Sequence, residues 1–219
     1  MPQQILIIGL GHFGMSLART LSGKGVEVLA CDRRQALVKE ASAFVTEAIT
    51  IDATEEAELA QLLPQKRDCA VCAIGDHSRE ASIICTALLR QMGTPWIISR
   101  ANDVMHRRIL QLVGAHVVIN PEEEFGKRFA NRLVFRNIIA DMPLDENLHL
   151  TELVIPSAMV GKNLVDLALP KRFGVMVVAI RRGTPGKVLQ PSPQDPLQQD
   201  DRLIIVSNES AISRLMKEV

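Results

Sequence analysis

The run Gly9-Leu10-Gly11-His12-Phe13-Gly14 has the G-x-G-x-x-G spacing that lets a backbone bend around a pyrophosphate. Each glycine has its own task. Gly9 permits the tight turn, Gly11 lets the chain approach phosphate oxygens, and Gly14 lets the following helix close against the preceding strand. The amides opening that helix, together with its positive dipole end, suit an anion. His12 lies inside the loop and can donate to a phosphate, face solvent or cap the backbone, and Phe13 beside it is counted among the candidate nucleotide-binding residues. An acid, Asp32, follows the second apolar run, where it can accept hydrogen bonds from a ribose diol. Arg33 and Arg34 come next. The acid repels a 2′-phosphate and the arginines attract one, so NAD or an adenosine nucleotide is favoured over NADP. Two further segments, Ile51-Asp52-Ala53-Thr54 and Ala73-Ile74-Gly75-Asp76, also end apolar runs and are candidates to hold adenine and sugar. Thr54 reads equally well as a helix cap.

These residues need elements to hold them. Six short, Val/Ile-rich runs recur through the first 120 residues: 4–9, 26–31, 47–51, 69–74, 96–99 and 116–119. They are nearly continuous in apolar character, as strands buried on both faces are. Helix-length stretches separate them, with Asn102 as the expected cap of the one at DVMHRRILQLV. Strand–helix alternation of this kind predicts an α/β fold, a Rossmann-like doubly wound parallel sheet. Asn120-Pro121-Glu122-Glu123-Glu124 is a strong helix start. The helix is expected to run over 121–141, with Phe125, Phe129, Leu133, Val134, Ile138 and Ile139 at three- and four-residue spacing. That stripe either packs on the domain's own sheet or carries the chain across to another subunit. Beyond Pro143 the rhythm becomes that of a small α+β C-terminal lobe. The expected domains are 1–141, including the crossover helix, and 146–219.

The chain has 219 residues, 25 basic and 25 acidic side chains, and no Tyr. Residues 1–135 carry 15 of each charge, so neither half is basic. Nucleic acid binding, which draws on basic patches and aromatic platforms, is not expected. Nor is direct membrane insertion, since no stretch of about 20 apolar residues occurs. No secretory signal is expected either. Cys69 and Cys72 have C-x-x-C spacing but sit in a strand-like run, where residues three apart point to opposite faces. With Cys31 and Cys85 they read as buried hydrophobes rather than a metal or redox pair. His77, His106, His116 and His149 lack metal-ligand spacing. After residue 143 there is one His, no Cys and no Tyr, and no nucleophile–base constellation. A sensor therefore fits better than an NAD-dependent oxidoreductase, the alternative reading, or a redox-sensing transcriptional regulator.

With IGLGHFG (8–14), Asp32, IDATEEAEL (51–59), AIGDH (73–77), the 114–130 run, 161–183 and DDRLIIV (200–206), the chain resembles the cytosolic RCK/KTN regulators of potassium transporters, of the TrkA and KtrA type, over nearly its whole length. The resemblance implies a nucleotide-binding regulatory subunit without chemistry of its own. It implies a homodimer assembling into an octameric ring beneath a membrane potassium-translocating subunit of the TrkH/KtrB type. The location implied is the cytoplasm, at the inner face of the plasma membrane, and helix 121–141 becomes intersubunit. Implied ligands are an adenine nucleotide, ADP, ATP or NAD(H), and a divalent cation, Mg²⁺ or Ca²⁺, with Glu122 as its candidate ligand. Arg100 falls where the family is often basic and would face phosphate. The pattern departs from ATP-responsive members at His12, where they carry an arginine; this favours ADP or NAD(H). Some relatives bind cyclic di-AMP in the C-terminal lobe, and the segment Val175–Ile180 with Arg181 is compatible with that.

Overall fold

The computed structural model describes residues 3–75, 78–135, 137–145, 147–183 and 186–218. The first compact unit, Met1–Glu122, is built on a six-stranded sheet. Its strands are β1 (Gln4–Ile8), β2 (Glu27–Asp32), β3 (Glu47–Thr50), β4 (Cys69–Cys72), β5 (Ile97–Arg100) and β6 (Val117–Ile119). All pair in parallel, in the order β3-β2-β1-β4-β5-β6. Five helices are interleaved: α1 (His12–Gly23), α2 (Gln35–Ala41), α3 (Glu56–Gln61), α4 (Arg79–Gln91) and α5 (Val104–Leu112). The central strands carry apolar runs, Ile5–Ile8, Val28–Cys31 and Cys69–Cys72, because both faces are covered. Ile5, Ile7, Val28 and Val71 pack with Ala18 of α1 and Val38 of α2, whereas Leu6, Ile8, Leu29 and Cys72 pack with Leu59 of α3 and Leu89 of α4. Cys69 and Cys72 fall on opposite faces, as their spacing predicts, and all four cysteines are buried thiols.

Register is what matters for the site. Ile8 lies beside both Cys31 and Cys72, Cys72 beside Ser99, and Arg100 beside Ile119. The carboxyl ends of five strands therefore reach one edge together. The order reverses between β1 and β4, and a crevice outside the strand ends is where open α/β sheets take ligands.

The second unit, Glu123–Val219, holds a five-stranded antiparallel sheet, β10-β9-β11-β8-β7. Its strands are β7 (Ile138–Pro143), β8 (His149–Val154), β9 (Met176–Arg182), β10 (Lys187–Leu189) and β11 (Arg202–Ser207). Helix α6 (Pro121–Val134) leads into it, and α7 (Leu164–Leu167), α8 (Leu169–Phe173) and α9 (Glu209–Glu218) follow within it. Burial alternates along β8 and β11, so one face packs on a core containing Leu153, Phe173, Leu203, Ile205, Ile212 and Leu215. Asp201, fully buried, receives a two-pronged ion pair from Arg182 at 2.9 and 2.8 Å, and the amide of Gln198 at 2.8 Å.

Several expectations need correction. The helix starting at Pro121 ends at Val134, not Asp141. Ile138 and Ile139 belong to β7, which pairs with β8 through Ile138–Leu153 and Met142–Leu150. Two β-branched residues favour the pleated surface, and Pro143, which has no amide proton, is tolerated because β7 is an edge strand. Asp103, not Asn102, caps α5, accepting the amide of His106 at 2.8 Å. Thr54 does not cap α3, whose capping position is Glu55. Strand β10 has no counterpart in the sequence reading; Thr184 and Pro185 of the expected turn lie outside the described residues.

Candidate functional site

The glycine loop is built from β1 outward. Gly9 takes φ +95, and its amide donates to the Cys31 carbonyl at 2.8 Å, fastening the loop to β2. A Cβ at Gly9 would stand 3.0 Å from the Ile74 backbone nitrogen, and one at Gly14 only 1.9 Å from the Gly9 carbonyl oxygen. Both positions require glycine for the backbone crossing itself. Gly11 differs. It occupies the cap position of α1 in an ordinary extended conformation, and a Cβ there would meet nothing within 4 Å among the described residues. No side chain caps this helix end. The first amides of α1 are thus not claimed by a cap, over open space. That is the arrangement a pyrophosphate fits, and it is the observation in favour of a nucleotide here.

The structure brings Gly9, Gly11, His12, Gly14, Asp32 and Arg33 to the ends of β1 and β2. His12 opens α1 with its ring exposed, and Arg33 is exposed. Phe13 packs against the core cluster that includes Ile7 and Ala18, so it supports the loop rather than facing outward. Asp32 is buried, and both of its carboxylate oxygens are engaged within the chain. Its Oδ2 accepts the Leu10 amide at 2.7 Å, and its Oδ1 accepts the Arg34 amide at 2.8 Å and Arg34 Nε at 3.2 Å. Burial pushes its pKa up, but the hydrogen bonds from Arg34 and Leu10 outweigh that and hold it below its ordinary 3.8. Leu10 and Arg34 are the partners that hold this carboxylate, and neither stands out by spacing. An amide carries no side-chain signal, and Arg34 is visible in sequence only as a neighbour of Asp32.

Asp52 and Thr54 satisfy each other. The Thr54 amide and hydroxyl donate to Asp52 Oδ1 at 3.0 and 2.7 Å, while the Asp52 amide donates to Glu58 at 2.7 Å. Those hydrogen bonds from Thr54 keep the half-buried Asp52 carboxyl below its usual range. Ala53 is buried in the core, and Ile74 is half-buried against the same cluster. Gly75 ends the β4 segment; Asp76 and His77 lie outside the described residues.

At the far end of the edge, Arg100 and Glu122 form a pair. Arg100 Nη2 donates to Glu122 Oε1 at 2.6 Å, with the arginine side chain 11% exposed and the glutamate 60%. Arg100 Nε is buried without a partner among the described residues. Glu122 is thus bound to a cation of the chain itself, and no group of three or more potential metal ligands occurs among the described residues. His106 is buried, with Nε2 2.8 Å from Ser82 Oγ.

Residues 5–121 match the TrkA-N domain and residues 150–219 the TrkA-C domain. The chain belongs to the TrkA-N/TrkA-C family. It is 33% identical, over all of its length and 98% of the relative, to Ktr system potassium uptake protein C of Bacillus subtilis. It is 35% identical to Ktr system potassium uptake protein A of Vibrio alginolyticus, covering 99% of this chain and 98% of that one. Among solved structures, the GsuK RCK domain superposes with a TM-score of 0.66 at 18% identity, over 99% of this chain and 47% of that one. The GsuK channel bound to NAD gives 0.64 at 16% identity, over 98% of this chain and 39% of that one. This chain spans about half or less of those structures, and the likeness establishes the RCK fold.

Proposed function

We propose that this member of the TrkA-N/TrkA-C family is the nucleotide-binding regulatory subunit of a potassium uptake system. One observation carries the reading: the cap-free first turn of α1, with open space over Gly11 and Asp32 beside it, in a chain aligned end to end with Ktr potassium uptake proteins. The nucleotide is ADP, ATP or NAD(H). Structures of the same fold were solved as the GsuK channel bound to NAD and GsuK bound to ADP. His12, shorter than the arginine of ATP-responsive members, favours ADP or NAD(H). The alignment with Ktr proteins favours regulation over the oxidoreductase alternative.

In this reading Gly9, Gly11 and Gly14 shape the phosphate cradle, His12 and Arg33 border it, and Asp32 accepts the ribose. The backbone at Asp52–Thr54 and Ile74–Gly75 faces the adenosine half, and Arg100 meets phosphate. A divalent cation such as Mg²⁺ or Ca²⁺ at Glu122 would require that carboxylate to leave Arg100 and to be completed by oxygens from outside this chain.

Two exposed apolar surfaces support self-assembly into a dimer and then an octameric ring. One comprises Phe125, Phe129, Leu133 and Val134 on α6, the other Val104, Met105 and Leu112 on α5. Exposed apolar groups clustered in this way mark interaction surfaces. The second partner is a membrane potassium-translocating subunit of the TrkH/KtrB type, reached from the cytoplasmic face. No helix among the described residues is long and apolar enough to cross a membrane.

Calorimetric titration of the purified chain with ATP, ADP, NAD⁺ and NADH, with light scattering on the same samples, tests the reading. Binding of at least one nucleotide, abolished by Gly11→Asp and accompanied by a change in assembly, is expected. A stable monomer that binds none of the four would overturn it.

A further inference from the structure

The phosphate-facing arginine of the proposed site is already occupied by a carboxylate of the same chain. Arg100 ends β5, Glu122 lies in the first turn of α6, and the parallel pairing of Arg100 with Ile119 of β6 sets them side by side. The two partners are unequally fixed. Arg100 is nearly enclosed, whereas Glu122 stands mostly in water. Glu122 can therefore swing away at little cost, while the guanidinium cannot follow it. Arg100 is also placed toward the site. A Cβ at Gly75 would stand 3.1 Å from its Nη1, so the missing side chain at Gly75 makes room for the guanidinium at the end of β4. Gly75 in turn follows Ala73 and Ile74, whose backbone is in contact range of Gly9. The glycine loop, the end of β4, Arg100 and Glu122 thus form one continuous line along the carboxyl edge.

The donor count matters as well. A guanidinium has five N–H donors. The one at Arg100 gives Glu122 a single hydrogen bond and leaves Nε buried with no partner among the described residues. A buried donor without an acceptor is costly, and a phosphate presents several acceptor oxygens in the geometry that a guanidinium prefers.

Building on the nucleotide reading, we propose that Glu122 is an internal competitor for Arg100, a specificity-determining residue that a nucleotide phosphate must displace. Ligands whose phosphates reach Arg100 take over the guanidinium and free Glu122. Ligands without phosphate leave the pair intact. Because Glu122 belongs to the first turn of α6, its release transmits the ligand's charge to the helix that leads out of the nucleotide-binding unit.

The test is calorimetry of ADP, NAD⁺ and adenosine against the full chain and three variants, Glu122→Gln, Arg100→Gln and the double substitution. Losing a competitor worth one exposed charge-assisted hydrogen bond should raise ADP or NAD⁺ affinity by about five- to tenfold in Glu122→Gln. Adenosine affinity should stay unchanged. In the Arg100→Gln background, removing Glu122 should bring no gain, since nothing remains to compete for. Equal gains in both backgrounds would mean that Glu122 acts only by general repulsion, and would overturn the competition. A second measurement does not depend on Arg100 variants folding. The side-chain carboxylate resonance of Glu122, assigned by its loss in Glu122→Gln, should move on ADP addition toward that of a free glutamate. An unmoved resonance at saturating ADP overturns the proposal and leaves the nucleotide site standing. If neither ADP nor NAD⁺ binds any of the four proteins, the nucleotide reading itself falls, and this inference falls with it.

Discussion

Asp32 Oδ2 accepts the Leu10 amide at 2.7 Å, so the residue marked to read a sugar also holds the middle of the glycine loop. The loop is therefore tied to β2 twice, by this bond and by the Gly9 amide on the Cys31 carbonyl at 2.8 Å. A site assembled this way is shaped before any ligand arrives, which lowers the ordering cost of binding.

Replacing Asp32 by Asn keeps the size and removes the charge. One amide oxygen can still accept from Leu10, but the amide NH₂ then faces the Arg34 donors. The expected cost is about 1–3 kcal/mol of folding stability, the penalty of leaving buried donors unmatched. The pH dependence follows from the lowered folded-state pKa. The wild-type carboxylate stabilises the fold fully above its unfolded pKa, and that contribution is lost as pH falls through the lower folded value. Thermal melts should show the gap between wild type and Asp32→Asn at pH 7 narrowing below about pH 4. A gap independent of pH would exclude the charge as its source.

Two glycines of the loop separate folding from binding. An alanine Cβ at Gly14 would lie 1.9 Å from the Gly9 carbonyl oxygen, a backbone atom with no freedom to yield. Gly14→Ala should cost more than ~3 kcal/mol or fail to fold. A Cβ at Gly11 would meet nothing within 4 Å among the described residues and the backbone is extended, so Gly11→Ala should stay within about 1 kcal/mol of wild type. Yet its methyl group would occupy the pyrophosphate's approach, and nucleotide affinity should fall at least tenfold. Denaturant melts paired with calorimetry check both; a Gly11→Ala protein that binds as wild type would remove the loop from the phosphate site.

The aromatic pair on α6 gives a prediction about assembly. Phe125 and Phe129 stack with ring centroids 5.6 Å apart, and both are exposed. Replacing both by Ser removes apolar surface that already faces water, so the melting temperature should change little. Self-association through this helix should weaken. Light scattering should report a mass moving toward the 24.1 kDa of a single chain; an unchanged oligomer would assign assembly to another surface.

How much of this was legible in the sequence follows from what kind of contact each feature uses. The six parallel strands stand out because both faces of β1, β2 and β4 are buried, which leaves an uninterrupted apolar run. Strand β7 does not. Ile138 lies four residues beyond Val134, so it continues a helical stripe as well as it starts a strand, and only pairing with β8 decides between them. The same holds at the site. Gly9, Gly11, Gly14 and Asp32 announce themselves by spacing, because their work is local backbone geometry. Arg100 and Glu122 became candidates only through the family resemblance, and their contact depends on β5 lying beside β6, which spacing does not encode.

Within the C-terminal unit the buried pair Arg182–Asp201 carries the last prediction. Asp201 is fully buried, Arg182 reaches it with two nitrogens, and the Gln198 amide supplies a third hydrogen bond. Burial pushes the Asp201 pKa up, and Arg182 with Gln198 more than offsets this, holding it below 3.8. Arg182→Met preserves much of the side chain's volume but strands the carboxylate. The cost should be ~2–4 kcal/mol, below that of a fully enclosed pair because the arginine is partly solvated. Removing the guanidinium also removes the main reason for a lowered pKa. Asp201 should then take up a proton at higher pH, and the variant should lose further stability on going to neutral pH instead of on acidification. Urea melts from pH 4 to 8 distinguish the cases. Wild type should lose this contribution only as pH drops through the depressed folded value, whereas Arg182→Met should be relatively more stable at the acid end. The double variant Arg182→Met/Asp201→Leu should recover part of the loss, since it leaves no charge to bury. If the single variant melts as wild type at every pH, the pair contributes nothing to the fold of this unit.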